Sequence, residues 1–179
     1  MSHTHSKIGT INRGALVQHV DTTLAWLRST ALLVAPPILR LALAVPFFKS
    51  GLTKWDGFLS LSPTAAYLFS DEFKLHVFGA VYGFPAPDVV AYLDGVAEIV
   101  LPVLLILGLA TRLSALGLLV MTGVIQLVVP DGWANFHLPW ASIAISIIAI
   151  GPGRLSVDHF VGGYIHAPNA KLNRRSAHG

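Results

Sequence analysis

The sequence predicts an all-α membrane protein: a four-transmembrane-helix bundle with an N-terminal amphipathic interfacial helix and an ordered extracytoplasmic loop between spans one and two. Three observations carry that expectation. Charged residues make up 12% of the 179, about half the share usual in soluble domains. The mean hydropathy is +0.65. Four apolar stretches are each long enough to cross about 30 Å of hydrocarbon at 1.5 Å per residue.

What is missing narrows the chemistry. Cysteine is absent, which removes disulfides, thiol relays, cysteine-ligated zinc and iron–sulfur clusters. A formal charge of +3 is too slight for a nucleic-acid partner in so apolar a chain. No Gly-x-Gly-x-x-Gly turn, Walker sequence, His-Glu-x-x-His helix or Gly-x-Ser-x-Gly elbow occurs, so self-contained dinucleotide, phosphoryl, zinc or serine chemistry lacks its residues.

Residues 1–35 read as a cytoplasmic tail and interfacial helix. Lys7, Arg13 and Arg28 come without the apolar core and cleavage site of a signal peptide. Leu16, Val20, Leu24 and Leu27 recur at helical spacing, which suits a helix lying on the membrane face. A four-helix membrane domain is expected over 36–158, with spans near 36–54, 89–109, 113–130 and 134–150, followed by a cytoplasmic tail, 159–179. Pro36-Pro37 suits the first turn of span one, where proline's missing N–H has no partner to lose. The mixed stretch 56–88 reads as an ordered loop with one short helix near 63–80. Turns at Thr111-Arg112 and Asp131-Gly132 are short enough to make spans two, three and four antiparallel neighbours.

Orientation follows from charge. Lys7, Arg13, Arg28, Arg112, Arg154, Lys171, Arg174 and Arg175 fall on one side, and Asp56, Asp71, Glu72, Asp88 and Asp131 on the other. Basic residues stay inside, so both termini are expected in the cytoplasm and the 56–88 loop outside, with Trp55, Trp133 and Trp140 at the outer interface.

An ionisable group within a membrane helix needs a partner, an escape to the interface, or a role. Counting inward at 1.5 Å per residue, Lys49 and Asp94 lie about 8 Å deep, Gln126 about 6 Å, His137 about 5 Å and Glu98 about 14 Å. Asp94 and Glu98 are four apart and share a face, and Lys49 reaches the depth to pair with Asp94, either as a structural ion pair or as part of a polar site. Glu98, without an equally deep cation, suits a proton-accepting or hydrogen-bonding role. His137 has no second histidine at helical metal spacing, so no metal site is expected and haem is disfavoured. It remains a donor for a quinone carbonyl or a helix-end residue. Arg40 stands near the cytoplasmic end, on the face opposite Lys49, where it snorkels to the inner headgroups or pairs with another subunit or, after a kink at Pro46, with Glu98.

Leu39-Arg40-Leu41, then Phe47 through Lys54, then Glu98 leading into Gly108-Leu109-Ala110-Thr111-Arg112, and finally Gly151 through Asp158 together resemble the DoxX/DoxD-like family of bacterial integral membrane proteins. The resemblance implies a four-helix bundle acting as an oxidoreductase subunit, and it places Arg40, Gly51, Lys54, Glu98, Arg112, Arg154 and Asp158 at motif positions. One branch resembles the membrane partner of a thiosulfate:quinone oxidoreductase, and other members accompany detoxifying or metal-associated peptide systems. Arg154 and Asp158 are expected to form a local ion pair or cap, and Gly151, Pro152 and Gly153 to end span four.

The functional expectation is a membrane subunit of a redox complex, with a quinone as the cofactor, Glu98 as the catalytic residue, and Lys49, Asp94, Gln126 and His137 around the ligand. The alternative is a non-catalytic scaffold or export partner for a small periplasmic or metal-binding peptide system, engaged through the 56–88 loop. Expected partners are the lipid bilayer and another membrane or periplasmic subunit, and a homo-oligomer is compatible with both readings.

Overall fold

A computed structural model describes residues 13–166. Residues 1–12, with Lys7, and residues 167–179, with Lys171, Arg174 and Arg175, lie outside the described residues. Four helices form the bundle: α1 (Arg13–Leu52), α3 (Pro87–Leu107), α4 (Thr111–Val128) and α5 (Leu138–Ile150). All four, α5 together with its approach from Pro130, are long and apolar enough to cross a membrane. Each packs on two neighbours in the cyclic order α1, α3, α4, α5. The core is one cluster of Leu43, Ala44, Phe47, Leu105, Ala115, Leu118, Ala144 and Ile147. Its alanines, one on each of three helices, let backbones approach where lipid supplies no hydrophobic drive for association.

Several expectations need correction. The interfacial helix and span one are a single uninterrupted α1 of 40 residues containing Pro36, Pro37 and Pro46. At about 60 Å it is twice the bilayer thickness. Pro36 is buried and sits against Gly153, where an added Cβ would come within 2.6 Å of its ring. It is a packing residue, and an apolar setting tolerates proline within a helix. In the loop, the helix expected near 63–80 is confined to α2 (Pro63–Tyr67) and one wide turn through Glu72. An antiparallel hairpin follows, β1 (Lys74–Val77) with β2 (Ala80–Gly83). Its turn is Phe78-Gly79, both at positive φ, the mirror-image geometry that matches strand twist. Spans two and three start and end within about two residues of expectation. The reversal between them falls at Gly108–Ala110, with Thr111 already helical, and span four is regular only from Leu138, after a wide turn over Trp133–His137.

At the end of the bundle remote from the loop, Asp158 holds the α3–α4 reversal. It stands in the first turn of α6 (Val157–His166). Its carboxylate accepts from the Ala110 N–H, the Thr111 N–H and the Thr111 hydroxyl, each at 2.8 Å. Its own N–H donates to the Gly108 carbonyl at 2.9 Å. Two of the free N–H groups at the α4 start and a carbonyl at the α3 end are thus satisfied by one residue. Arg40 is 3% exposed and donates through Nη2 to the Leu155 carbonyl at 2.5 Å. It neither snorkels nor reaches Glu98. Gly108, at φ +71, is required because a Cβ there would overlap Arg40 and Ser156. Arg112 lies against Gly151, whose φ of +87 ends α5. Of the two outcomes expected for Arg154 and Asp158, the cap forms and the ion pair does not: Arg154 is exposed, and among the described residues the salt bridges are those of Lys54.

Burial alone would push the Asp158 carboxyl up, but the Thr111 N–H and hydroxyl, the Ala110 N–H and the Arg40 charge outweigh it and hold it below the ordinary aspartate range. With the folded value depressed, the stabilisation is complete above that range and is lost as pH falls through the folded value. Asp158→Ala should cost about 1–2 kcal/mol, the upper part of the range for lost helix caps. Thermal melts in detergent between pH 7 and pH 3 should show the wild type losing its advantage over the variant on the acid side. An equal melting temperature at pH 7 would show that the cap does not carry the turn.

Candidate functional site

At the loop end, α1 and α3 meet through Gly51. A Cβ at that position would stand 2.9 Å from the Glu98 Cβ, so glycine alone permits the approach. Two residues beyond the end of α1, Lys54 folds over α3. Its Nζ lies 2.5 Å from Glu98 Oε2 and 2.9 Å from Asp94 Oδ2, with Ser50 Oγ at 3.5 Å. Glu98 is 3% exposed. Asp94 and Glu98, four apart on one face of α3, therefore share a single ammonium.

This triad forms the polar end of a cavity of about 210 Å³. Apart from Ser50, the rest of the wall is apolar. Phe47 of α1 and Trp140 of α5, ring centroids 5.1 Å apart, make one side, and Val124, Ile125 and Val128 of α4 another. Phe69, Phe73 and Phe84 of the loop close it, with Phe69 5.2 Å from Phe73 and 5.6 Å from Phe84. Lys54 Nζ stands 5.9 Å from the Phe69 ring centre, within cation–π range. The hairpin is latched beside this roof, its His76 Nδ1 3.2 Å from the Leu127 carbonyl at the end of α4.

The predicted polar cluster thus divides. Asp94 and Glu98 are together, but their cation is Lys54. Lys49 is exposed on another side of α1 and does not pair with Asp94. Depth pointed to Lys49, because Lys54 falls at the very end of the expected span. Five residues apart, however, they stand about 140° from each other on a helix, and the face that reaches α3 runs through Phe47, Gly51 and Lys54. Glu98 has the deep cation it was expected to lack. Gln126 and His137 form a separate pair that closes the α4–α5 turn. The Gln126 amide donates to the Pro130 carbonyl at 3.0 Å, which leaves its Oε1 to accept from His137 Nδ1 at 2.6 Å. His137 is buried against Gly132, and neither residue lines the cavity. Trp140, expected at the interface, is in the cavity wall. The aromatic lining was missed altogether. Phe69, Phe73 and Phe84 lie in the loop, and only its fold brings them over the bundle. Among the described residues, no group of three His, Asp or Glu side chains is placed to hold a metal ion.

Fold and site together define a multi-pass membrane protein with a buried ion triad at one end of its bundle. The DoxX family model matches residues 35–131, more than half of the chain, and the chain belongs to the DoxX family. No curated protein and no solved structure matches it.

The triad makes a prediction about coupling. Lys54→Met leaves two carboxylates facing apolar surroundings and should destabilise by about 3–5 kcal/mol, the penalty for breaking a buried pair from one side. Glu98→Gln should restore part of that loss in the Lys54→Met background. Detergent melts of the two single variants and the double variant measure the coupling. Strictly additive losses would show that the side chains do not interact.

Proposed function

We propose that this DoxX-family protein is the membrane subunit of a quinone-linked redox complex and that the cavity under Lys54 takes the quinone ring. The observation that carries this reading is the cavity's division into an aromatic, apolar body and one charged end. Its volume of about 210 Å³, below the roughly 300–1,000 Å³ of drug-sized sites, suits a single substituted ring with its tail directed to lipid. A bound quinone supplies two-electron, two-proton redox chemistry. Toward it Lys54 Nζ offers a cationic donor for a carbonyl oxygen. The triad holds one carboxylate more than ammonium, so Glu98 has the capacity to take up and release a proton beside the ring. Phe47, Phe69 and Trp140 exclude water and orient the ring by stacking. Electrons come from a partner subunit, since the chain has no cysteine and no dinucleotide motif.

The end bearing Arg28, Arg112 and Arg154 faces the cytoplasm by the positive-inside rule, and the end bearing Asp56, Asp71, Glu72, Asp88 and Asp131 faces outward. This puts both termini inside and the cavity in the outer half of a bacterial inner membrane.

One observation favours a second reading, a scaffold or export partner for a small periplasmic or metal-binding peptide system. Phe58 and Phe78, at two turns of the loop, are 95% and 106% exposed, as contact residues for another protein would be.

Short-chain ubiquinone or menaquinone analogues added to the protein in nanodiscs should quench tryptophan emission saturably. Lys54→Met and Phe69→Ala should each weaken binding about tenfold, equivalent to about 1.4 kcal/mol, while Phe58→Ala leaves it unchanged. In the native complex Glu98→Gln should lower quinone-linked turnover. Absence of saturable binding together with unchanged turnover would overturn the proposal, and loss of partner co-purification on Phe58→Ala and Phe78→Ala would favour the scaffold.

A further inference from the structure

The first half of α1 is an exposed helix, and most of its apolar residues, Trp26, Leu32 and Leu33 apart, fall on one line. Val17, Val20, Leu24, Leu27, Ala31 and Val34 follow one another at alternating spacings of three and four, and every one is exposed. Between Val17 and Thr30 the remaining positions are Gln18, His19, Asp21, Thr22, Thr23, Ala25, Arg28 and Ser29, with Trp26 the one large apolar exception. Beyond Pro36 the same rhythm runs on without a break through Ile38, Leu41, Val45, Phe48 and Leu52, all exposed except the half-buried Phe48. Arg40, Leu43, Ala44 and Phe47, which face the bundle, are buried, so the stripe lies on the side of α1 turned away from α3.

A repeat of 3.5 residues kept up over five heptads is the period of a coiled-coil seam, narrower than the apolar face of a helix lying in a membrane surface. The continuity of α1 adds a second constraint. The helix has no break at which its first half turns flat, and the stripe passes from the bundle segment into the extension on one side. We infer that this stripe is a homodimer interface: two copies of the chain pair along α1 in parallel, identical residues meeting across a two-fold axis normal to the membrane. Insertion gives every copy the same orientation, so a parallel pair is the arrangement open to two α1 helices in one membrane, and the contact is isologous and closed. Ten of the eleven side chains are exposed, and together they run the length of a helix as one continuous face of the kind that a stable interface, about 800 Å² per partner, buries. The extension supplies the water-exposed part of that area, where burial drives association. The membrane half prolongs the same seam.

The absence of native cysteine makes the test direct. Single variants Leu24→Cys, Leu27→Cys and Val45→Cys of the full chain, oxidised in native membranes, should form disulfide-linked dimers, because identical seam positions of a parallel coil bring Cα atoms within the roughly 4.4–6.8 Å that a disulfide spans. Thr22→Cys and Ser29→Cys, on the far side of the helix, should cross-link at least tenfold less. In detergent the wild type should have the mass of a dimer by light scattering, and Leu24→Asp with Leu27→Asp should shift it to the monomer while its thermal melt still shows a folded bundle. Equal yields at seam and far-side positions, or none at any, would overturn the inference. So would a wild type that is monomeric with Trp26 quenched by brominated lipid, which would mean that the extension lies on the membrane, and so would cross-links to other proteins alone.

Discussion

The position of α1 against α3 depends on one ammonium shared by two carboxylates. A charge in hydrocarbon is costly without a partner, and Lys54 has Asp94 at 2.9 Å and Glu98 at 2.5 Å. Those distances set the depth of α1 relative to α3 and its rotation about its own axis, since a shift of one residue in either would strand a charge. Glycine at position 51 makes the approach possible, and Gly95 plays the same part for Trp55, which packs within 2.9 Å of where a Cβ would stand. The apolar core between could accept several registers, because lipid is as apolar as leucine. Specificity inside the bilayer comes from the polar contacts.

A second set of polar contacts holds the opposite end. Asp158 caps α4 while Arg40 binds the Leu155 carbonyl, so the segment after α5 is tied to both α1 and the α3–α4 turn. With α1 held at one end of the bundle by Lys54, just past its last turn, and near the other by Arg40, the 13 residues between the two anchors span about 20 Å, most of the hydrocarbon thickness. Neither set of contacts is local in sequence. Each joins residues at least 40 positions apart, which is how a chain of short turns closes into a ring of four helices.

Much of this was legible before the fold. The lengths of the apolar stretches located spans two and three to within about two residues, because hydrocarbon thickness constrains length strongly. Gly51, Lys54, Glu98 and Asp158, which the resemblance singled out, lie at the helix contacts just described. Other features were hidden for physical reasons. Lys49 lies deeper than Lys54, so a count of depth favours it, and it is the angle around the helix that turns Lys54 and not Lys49 toward α3. Pro36-Pro37 reads as a helix start under rules drawn from soluble proteins, whereas here it packs on Gly153 within a continuous helix. Phe78-Gly79 carries a weaker hairpin signal than Asn-Gly, and the aromatic roof exists only once the loop has folded back.

The loop therefore completes a site that the bundle only begins. The helices supply the triad, Phe47 and Trp140, and without a cover the Lys54 charge would be hydrated and its hold on Glu98 weakened by the high dielectric of water. Phe69, Phe73 and Phe84 supply that cover. They are held from one side by α2 and from the other by the hairpin, which His76 ties to the end of α4. Opening the roof would hydrate the ion triad, and closing it would strengthen the attraction that seats α1 against α3. Access to the cavity and the strength of the main interhelical contact are thus coupled through Lys54, the residue that touches both the roof and the two carboxylates.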